Sequence, residues 1–209
     1  MNHAQRLAHA RDVLHRAETA SGLSRTEDKQ GWQTPQALTP VLPTLTPGIV
    51  AIEGSTTILL AIAGHASAQG AWIALVGLPL IGWGAAAEHG LDLTRTAHIP
   101  SPGARAPDVL TALADGFDII VAGELALTVR DRRALAQRVR TRGTAILSTD
   151  WPTASAVLRV EGGEPSGYDA GIGHLKAIRY TVSSGSARTS CLWTADGLVD
   201  APRMLRAVS

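Results

Sequence analysis

Between Gly54 and Ala87 the chain carries no aspartate, glutamate, lysine or arginine. A stretch that long without a formal charge has to be withdrawn from water. Two arrangements achieve that: a membrane hairpin, or elements buried in a parallel sheet covered on both faces. A spanning helix needs about 20 consecutive apolar residues. The apolar pieces here are shorter, cut by Gln69-Gly70, by Gly77-Leu78-Pro79 and by Gly82 and Gly84. They also alternate between strand-like and helix-like character. A buried α/β core with no membrane contact is therefore expected.

The rhythm continues on both sides of that stretch. A strand over 48–53 leads to a helix over 56–68, with Ser55 placed as its N-cap. A strand over 71–77 is followed by a helix through 85–87 that stops at His89-Gly90, where glycine suits the helix end. A strand over 96–99, a helix over 107–115, a strand over 117–121, a helix over 131–141 and a strand over 144–148 complete the alternation. From Pro152 the helices cease. Segments 157–161, 174–182 and 189–193 read as strands joined by glycine-containing turns, which implies antiparallel pairing. The expected architecture is a mostly parallel twisted sheet flanked by helices, with an antiparallel C-terminal extension. The domain plan is an N-terminal helix over 1–20, a Pro/Thr-rich linker over 21–47, a core over 48–200 and a tail over 201–209. Pro35, Pro40, Pro43 and Pro47 make the linker extended rather than helical. Trp72 and Trp83 are expected in the core. Trp32, Trp151 and Trp193 stand in or beside loops, where they would anchor a partner or pack half-buried. Residues 166–173 read as a flexible loop.

Composition removes several chemistries. The 209 residues, 45% of them hydrophobic, suit one sizeable core, and a net charge of +1 gives no global attraction to polyanions. Cys191 is the only cysteine, so neither an internal disulfide nor a cysteine zinc cluster can form. Seventeen basic residues are arginine and two are lysine, Lys29 and Lys176. His3, His9 and His15 recur every six residues and share no helix face, so no metal site follows. The start is charged and has no apolar signal region, which points to the cytoplasm.

In order of elements the chain resembles a RecA-type core. Leu42-Pro43 with Gly48 before the first strand, Gly70-Ala71-Trp72-Ile73-Ala74-Leu75-Val76, Glu88-His89-Gly90-Leu91-Asp92-Leu93, Phe117-Asp118-Ile119-Ile120-Val121 and the late strands follow that pattern over about residues 40–195. More narrowly it is similar to the actinobacterial ImuA′ family. The shared features are the charged N-terminal helix, the Pro-rich lead-in, the Glu53-Gly54-Ser55-Thr56 turn, the Gly77-Leu78-Pro79 after the second strand, and Gly173-His174-Leu175-Lys176-Ala177. The resemblance implies a RecA-like fold and a part in damage-induced (SOS) mutagenesis. Such proteins act in DNA repair by translesion synthesis, in a mutasome with the Y-family-like ImuB, an error-prone C-family DNA polymerase and the sliding clamp. It also implies recruitment to the nucleoid on damage.

Set against that family's chemistry, the residues point away from catalysis. A phosphate loop needs several glycine-rich residues, a lysine for the β/γ oxygens and a hydroxyl for Mg²⁺. Here only Gly54 and Ser55 separate strand from helix. Thr56 and Thr57 resemble the hydroxyl pair, but the lysine and the loop before them are missing. The Mg²⁺-orienting acid is replaced around Ala122-Gly123, with Glu124 one residue beyond and on the opposite face of a continuing strand. The water-activating carboxylate is replaced at Gly77-Leu78-Pro79. No catalytic residue, metal ligand or cofactor is assigned, and ATP hydrolysis is not expected.

The surface candidates are basic. Arg130, Arg132, Arg133, Arg138, Arg140 and Arg142 lie on one helix, and Lys176 and Arg179 on a late strand. Such a surface meets DNA phosphates or an acidic partner, or is simply a solvated face. Three functions follow: a non-catalytic adaptor that binds ImuB; a structural protein that self-associates or coats single-stranded DNA; and a divergent nucleotide-binding enzyme.

Overall fold

Trp32 and Leu45 face each other across a short antiparallel ladder, β1 (Trp32–Gln33) against β2 (Thr44–Leu45). Both side chains are buried, as are Leu38, Val41 and Leu42 between them. A 3-10 turn at Gln36–Leu38 and the Thr34 hydroxyl, which donates to the Leu42 carbonyl, fold the segment back on itself. The sequence predicts a linker over 21–47, and residues 31–47 are instead a layer of the core. Proline and threonine did forbid a long helix, but the apolar residues between them are spaced to reach the sheet one at a time. The structure, a computed structural model, describes residues 31–169 and 172–201. The helix expected over 1–20, the first part of the linker and the tail beyond 201 lie outside the described residues.

Strand β3 (Gly48–Glu53) shows how the main sheet is made. Val50 and Ile52 point to one face, Ile49 and Ala51 to the other, and all four are buried. Such an unbroken apolar run belongs to a strand with neighbours on both edges and cover on both faces. The parallel strands are β3, β4 (Ile73–Val76), β5 (Thr96–Ile99), β6 (Ile119–Ala122), β7 (Ala145–Ser148) and β8 (Ala156–Asp169). Beyond β8, the strands β9 (Ile172–Ser184), β10 (Ala187–Thr194) and β11 (Gly197–Asp200) pair antiparallel. The nine strands run in the order β11-β10-β9-β8-β3-β7-β6-β4-β5. This is the large mixed sheet with an antiparallel end that the alternation predicts. The loop expected over 166–173 is different: β8 and β9 run through most of it as a long hairpin with two register shifts.

Two helix layers sandwich the sheet. On one face α1 (Thr56–Ala68), α2 (Trp83–Glu88) and residues 31–47 cover Val50, Ile52, Ile73, Leu75, Val121 and Leu147. On the other, α3 (Ala106–Leu113) and α4 (Val129–Arg142) cover Ile49, Ala74, Val76, Ile120 and Ile146. The charge-free stretch now has its reason. In α1, Ile58, Leu59, Ile62 and Ala63 are buried, as are Ala61, Gly64, Ala66 and Ser67 on its flanks, because the helix lies between the sheet and the structure around it. Among the described residues no helix is long and apolar enough to cross a membrane. The tryptophans meet the expectation only in part: Trp83 packs half-buried against the core and Trp72 is half-buried, whereas Trp32 and Trp151, expected in or beside loops, are fully buried. Trp72 stands edge-on to Phe117 at the sheet end, and Trp83 edge-on to His98.

Candidate functional site

Open α/β sheets bind ligands beyond the carboxyl ends of their parallel strands, and in this sheet that edge is formed by the turns after β3, β4 and β6. Strand β3 ends at Glu53 and α1 begins at Thr56, leaving the two-residue turn Gly54-Ser55. Gly54 has φ +94°, and a Cβ there would collide with the Val160 carbonyl of β8. Ser55 is extended, and its hydroxyl accepts from the Ile58 amide at 3.3 Å. The first-turn donors of α1 are thus partly satisfied by the chain itself. Glu53 is paired with Arg159 at 3.1 Å across the β3–β8 register. Thr56 is exposed and Thr57 half-buried beside it.

The next two strands close the edge further. Gly123 follows β6, and its amide donates to the Val76 carbonyl at 2.9 Å. A Cβ at Gly123 would run into the Gly77 carbonyl. Gly77 itself has φ +68°, donates to Ile99 at 2.9 Å and carries Leu125 over the space where its own side chain would stand. His98 donates through Nε2 to the Leu78 carbonyl at 2.8 Å. The loop 77–82 is therefore pinned down across the ends of β4, β5 and β6. Pro79 and Leu80 are exposed on it, Leu80 at 93%. Glu124 is exposed beyond the contact.

What remains between this loop and α1 is a cavity of about 250 Å³ lined chiefly by Thr57, Leu60, Leu78, Ile81, Ala86 and Trp193. Its walls are apolar apart from threonine hydroxyls and His89. His89 lies against Trp193 with ring centroids 3.5 Å apart. Burial holds its imidazole below the ordinary value of 6.5, partly offset by the Glu88 charge. Trp193 is thus half-buried packing rather than a free anchor. Among the described residues no group of three or more His, Cys, Asp or Glu is placed to hold a metal ion.

The arginines divide into two sets. Arg132 donates to the Asp150 carboxylate at 2.8 Å and to its carbonyl at 2.6 Å, and its guanidinium lies 5.1 Å from the Trp151 ring centre. Arg138 and Arg142 both pair with Asp115 at the end of α3. These three, among the residues expected as a partner or DNA surface, are ion-paired to neighbouring elements, Arg132 largely buried and Arg142 still exposed. Arg130, Arg133 and Arg140 are exposed and make no ion pair among the described residues. Lys176 is exposed and Arg179 half-buried on β9, two strands outboard of β3, so they do not extend the row on α4. The helix also begins two residues earlier than expected. Thr128 accepts from the Asp131 amide and Asp131 accepts from the Thr128 amide, a reciprocal cap that places Val129 in the first turn. The sequence signal was Thr128-Val129-Arg130-Asp131, with aspartate in the place of the usual glutamate.

Comparison with known proteins agrees with this core. The model of the MT3502 N-terminal domain family matches residues 38–153, from the 3-10 turn to the threshold of β8. The chain is also 35% identical over 150 residues to a protein of Mycobacterium tuberculosis named "Uncharacterized protein Rv3395c", a match covering 70% of this chain and 74% of that protein.

Proposed function

This chain belongs to the MT3502 N-terminal domain family, and from that premise we propose that it is a non-catalytic adaptor of a damage-induced translesion synthesis complex. In this reading it is an ImuA′-type protein on a RecA-like core that has given up nucleotide chemistry. It holds a Y-family-like ImuB and, through it, an error-prone C-family polymerase at the sliding clamp. Its task is assembly, in the cytoplasm and at damaged nucleoid DNA.

The observation that carries the proposal is the closure at Gly77 and Gly123. A phosphoryl-transfer core needs a carboxylate near the end of that strand to orient Mg²⁺ and a lysine on the loop before the first helix. Where the acid would stand, the backbone approach leaves no room for any side chain, and the turn at Gly54-Ser55 is too short to wrap a phosphate chain. An apolar cavity beside the first turn of α1 is poor solvation for a triphosphate. The matched mycobacterial protein is in keeping with the actinobacterial setting of the ImuA′ resemblance.

Two measurements test this. Thermal melting with and without Mg²⁺-ATP should give the same midpoint, and the purified chain should co-elute with ImuB from the same genome. A midpoint raised by ATP would favour the nucleotide-enzyme reading and sink this one. Failure to co-elute at micromolar concentrations would remove ImuB as the partner.

A further inference from the structure

One flank of α4 repeats with helical spacing. Val129, Arg133, Ala136 and Arg140 follow one another at steps of four, three and four residues, and Arg130 and Gln137 flank them. At 3.6 residues per turn these positions form one stripe. Val129 is 65% exposed at its head, whereas Ala136 packs against the chain's own core beneath the row. The helix's one acid, Asp131, is turned back into the cap with Thr128. Arg132, Arg138 and Arg142 have taken Asp150 and Asp115, so the stripe keeps three guanidinium groups in no ion pair among the described residues, with only the capped Asp131 carboxylate near Arg130.

We infer that this stripe is the docking ridge for an acidic amphipathic helix of the partner protein, an inference that rests on the adaptor reading. Rows of residues at three- and four-residue steps are the ridges that pack into the grooves of a second helix. Arg133 and Arg140 stand two turns apart, about 10.5 Å, a spacing that glutamates two turns apart on a facing helix match. Guanidinium forks bind carboxylates two-point, which gives register as well as attraction. Phosphates would satisfy the same charges. A phosphate backbone, however, has no use for an exposed valine at the head of the row, and the stripe offers no aromatic ring for a base to stack on. The exposed valine beside the guanidinium groups favours a protein.

The test uses the full chain against three probes by titration calorimetry and fluorescence anisotropy: ImuB from the same genome; a synthetic leucine–alanine helix with glutamates at i, i+3 and i+7; and a labelled oligothymidylate. The variants are R130E/R133E/R140E, V129D, the single reversal R133E, and K176E on β9 as the control that matches R133E in charge. Expected are a loss of at least about tenfold in affinity for ImuB and the acidic helix in the triple variant, a smaller loss in V129D, and K176E within about twofold of the parent. R130K/R133K/R140K should recover most but not all of the binding. Three results would overturn the ridge: unchanged ImuB affinity in the triple variant, no ridge-dependent binding of either protein probe, or a loss confined to the oligonucleotide. Binding of the acidic helix through the ridge without binding of ImuB would leave the ridge standing and remove the adaptor reading.

Discussion

The carbonyl oxygen of Gly77 occupies the space in which a Cβ of Gly123 would stand. Two strand ends, β4 and β6, therefore close on each other by backbone alone, tied by the Gly123 amide to the Val76 carbonyl. Since the obstacle is main chain, a side chain at 123 has to push the loop 77–82 away. Gly123→Ala is expected to destabilise by roughly 1–3 kcal/mol, the usual range for forcing atoms into a packed site. Gly123→Asp should destabilise at least as much and should not create Mg²⁺-dependent nucleotide binding. Urea denaturation and ATP thermal shift check both. An alanine variant as stable as the parent would show that the contact is slack, and would weaken the case for a closed edge.

The two sets of arginines on α4 predict opposite responses to alanine. Arg132 has a side chain only 14% exposed, a carboxylate and a carbonyl as partners, and the Trp151 ring beneath it. Its removal leaves Asp150 unpaired and uncovers a buried tryptophan, so Arg132→Ala should lose about 1–3 kcal/mol. Arg133, one residue on, is exposed and unpaired among the described residues. Arg133→Ala should stay within about 0.5 kcal/mol of the parent. Equal effects at the two positions in chemical denaturation would show that the helix is not seated as described.

That contrast marks what the sequence could and could not say. Strands β3, β4 and β7 are short apolar runs buried on both faces, and such runs are legible because burial on two sides leaves no polar positions. The Gly54-Ser55 turn was equally plain, since a strand and a capped helix fix its length between them. The layer at 31–47 was hidden: proline and threonine dominate its composition, while its burial depends on six scattered apolar residues finding a distant sheet. Six arginines in one helix look alike in sequence, and only Asp115 and Asp150, brought in from other elements, distinguish them. The Gly77–Gly123 approach joins residues far apart in the chain, and a glycine after a strand does not announce which carbonyl will lie against it.

Cys191 gives a chemical test of the antiparallel end of the sheet. It is buried on β10 against the layer formed by residues 31–47, and burial, with the Asp200 charge adding to it, pushes its thiol up to about 11. The thiolate is the reactive form, so the native protein at pH 8 should resist iodoacetamide, and the urea-unfolded chain should react at the rate of an ordinary thiol. Rapid labelling of the native chain would mean that residues 31–47 do not cover β10.

Acid stability should report on His65 and His89, both held below their ordinary value by burial. A histidine whose folded pKa is depressed binds its proton more readily in the unfolded chain. As pH falls through 6.5 the unfolded state takes up protons first, so stability drops from there down to the folded pKa, and is unaffected above it. The parent should therefore melt at a lower temperature at pH 5.5 than at pH 7.5. His89→Gln, which keeps a polar group beside Trp193 but cannot titrate, should lose part of that difference, and His65→Gln a further part. The comparison is made on the pH-dependent difference within each variant, because the substitutions also alter packing and so shift the melting point at every pH. A parent whose melting point does not fall between pH 7.5 and 5.5, or a His89→Gln difference as large as the parent's, would show that the His89 ring is not desolvated against Trp193 and that the cavity wall it forms is open to water.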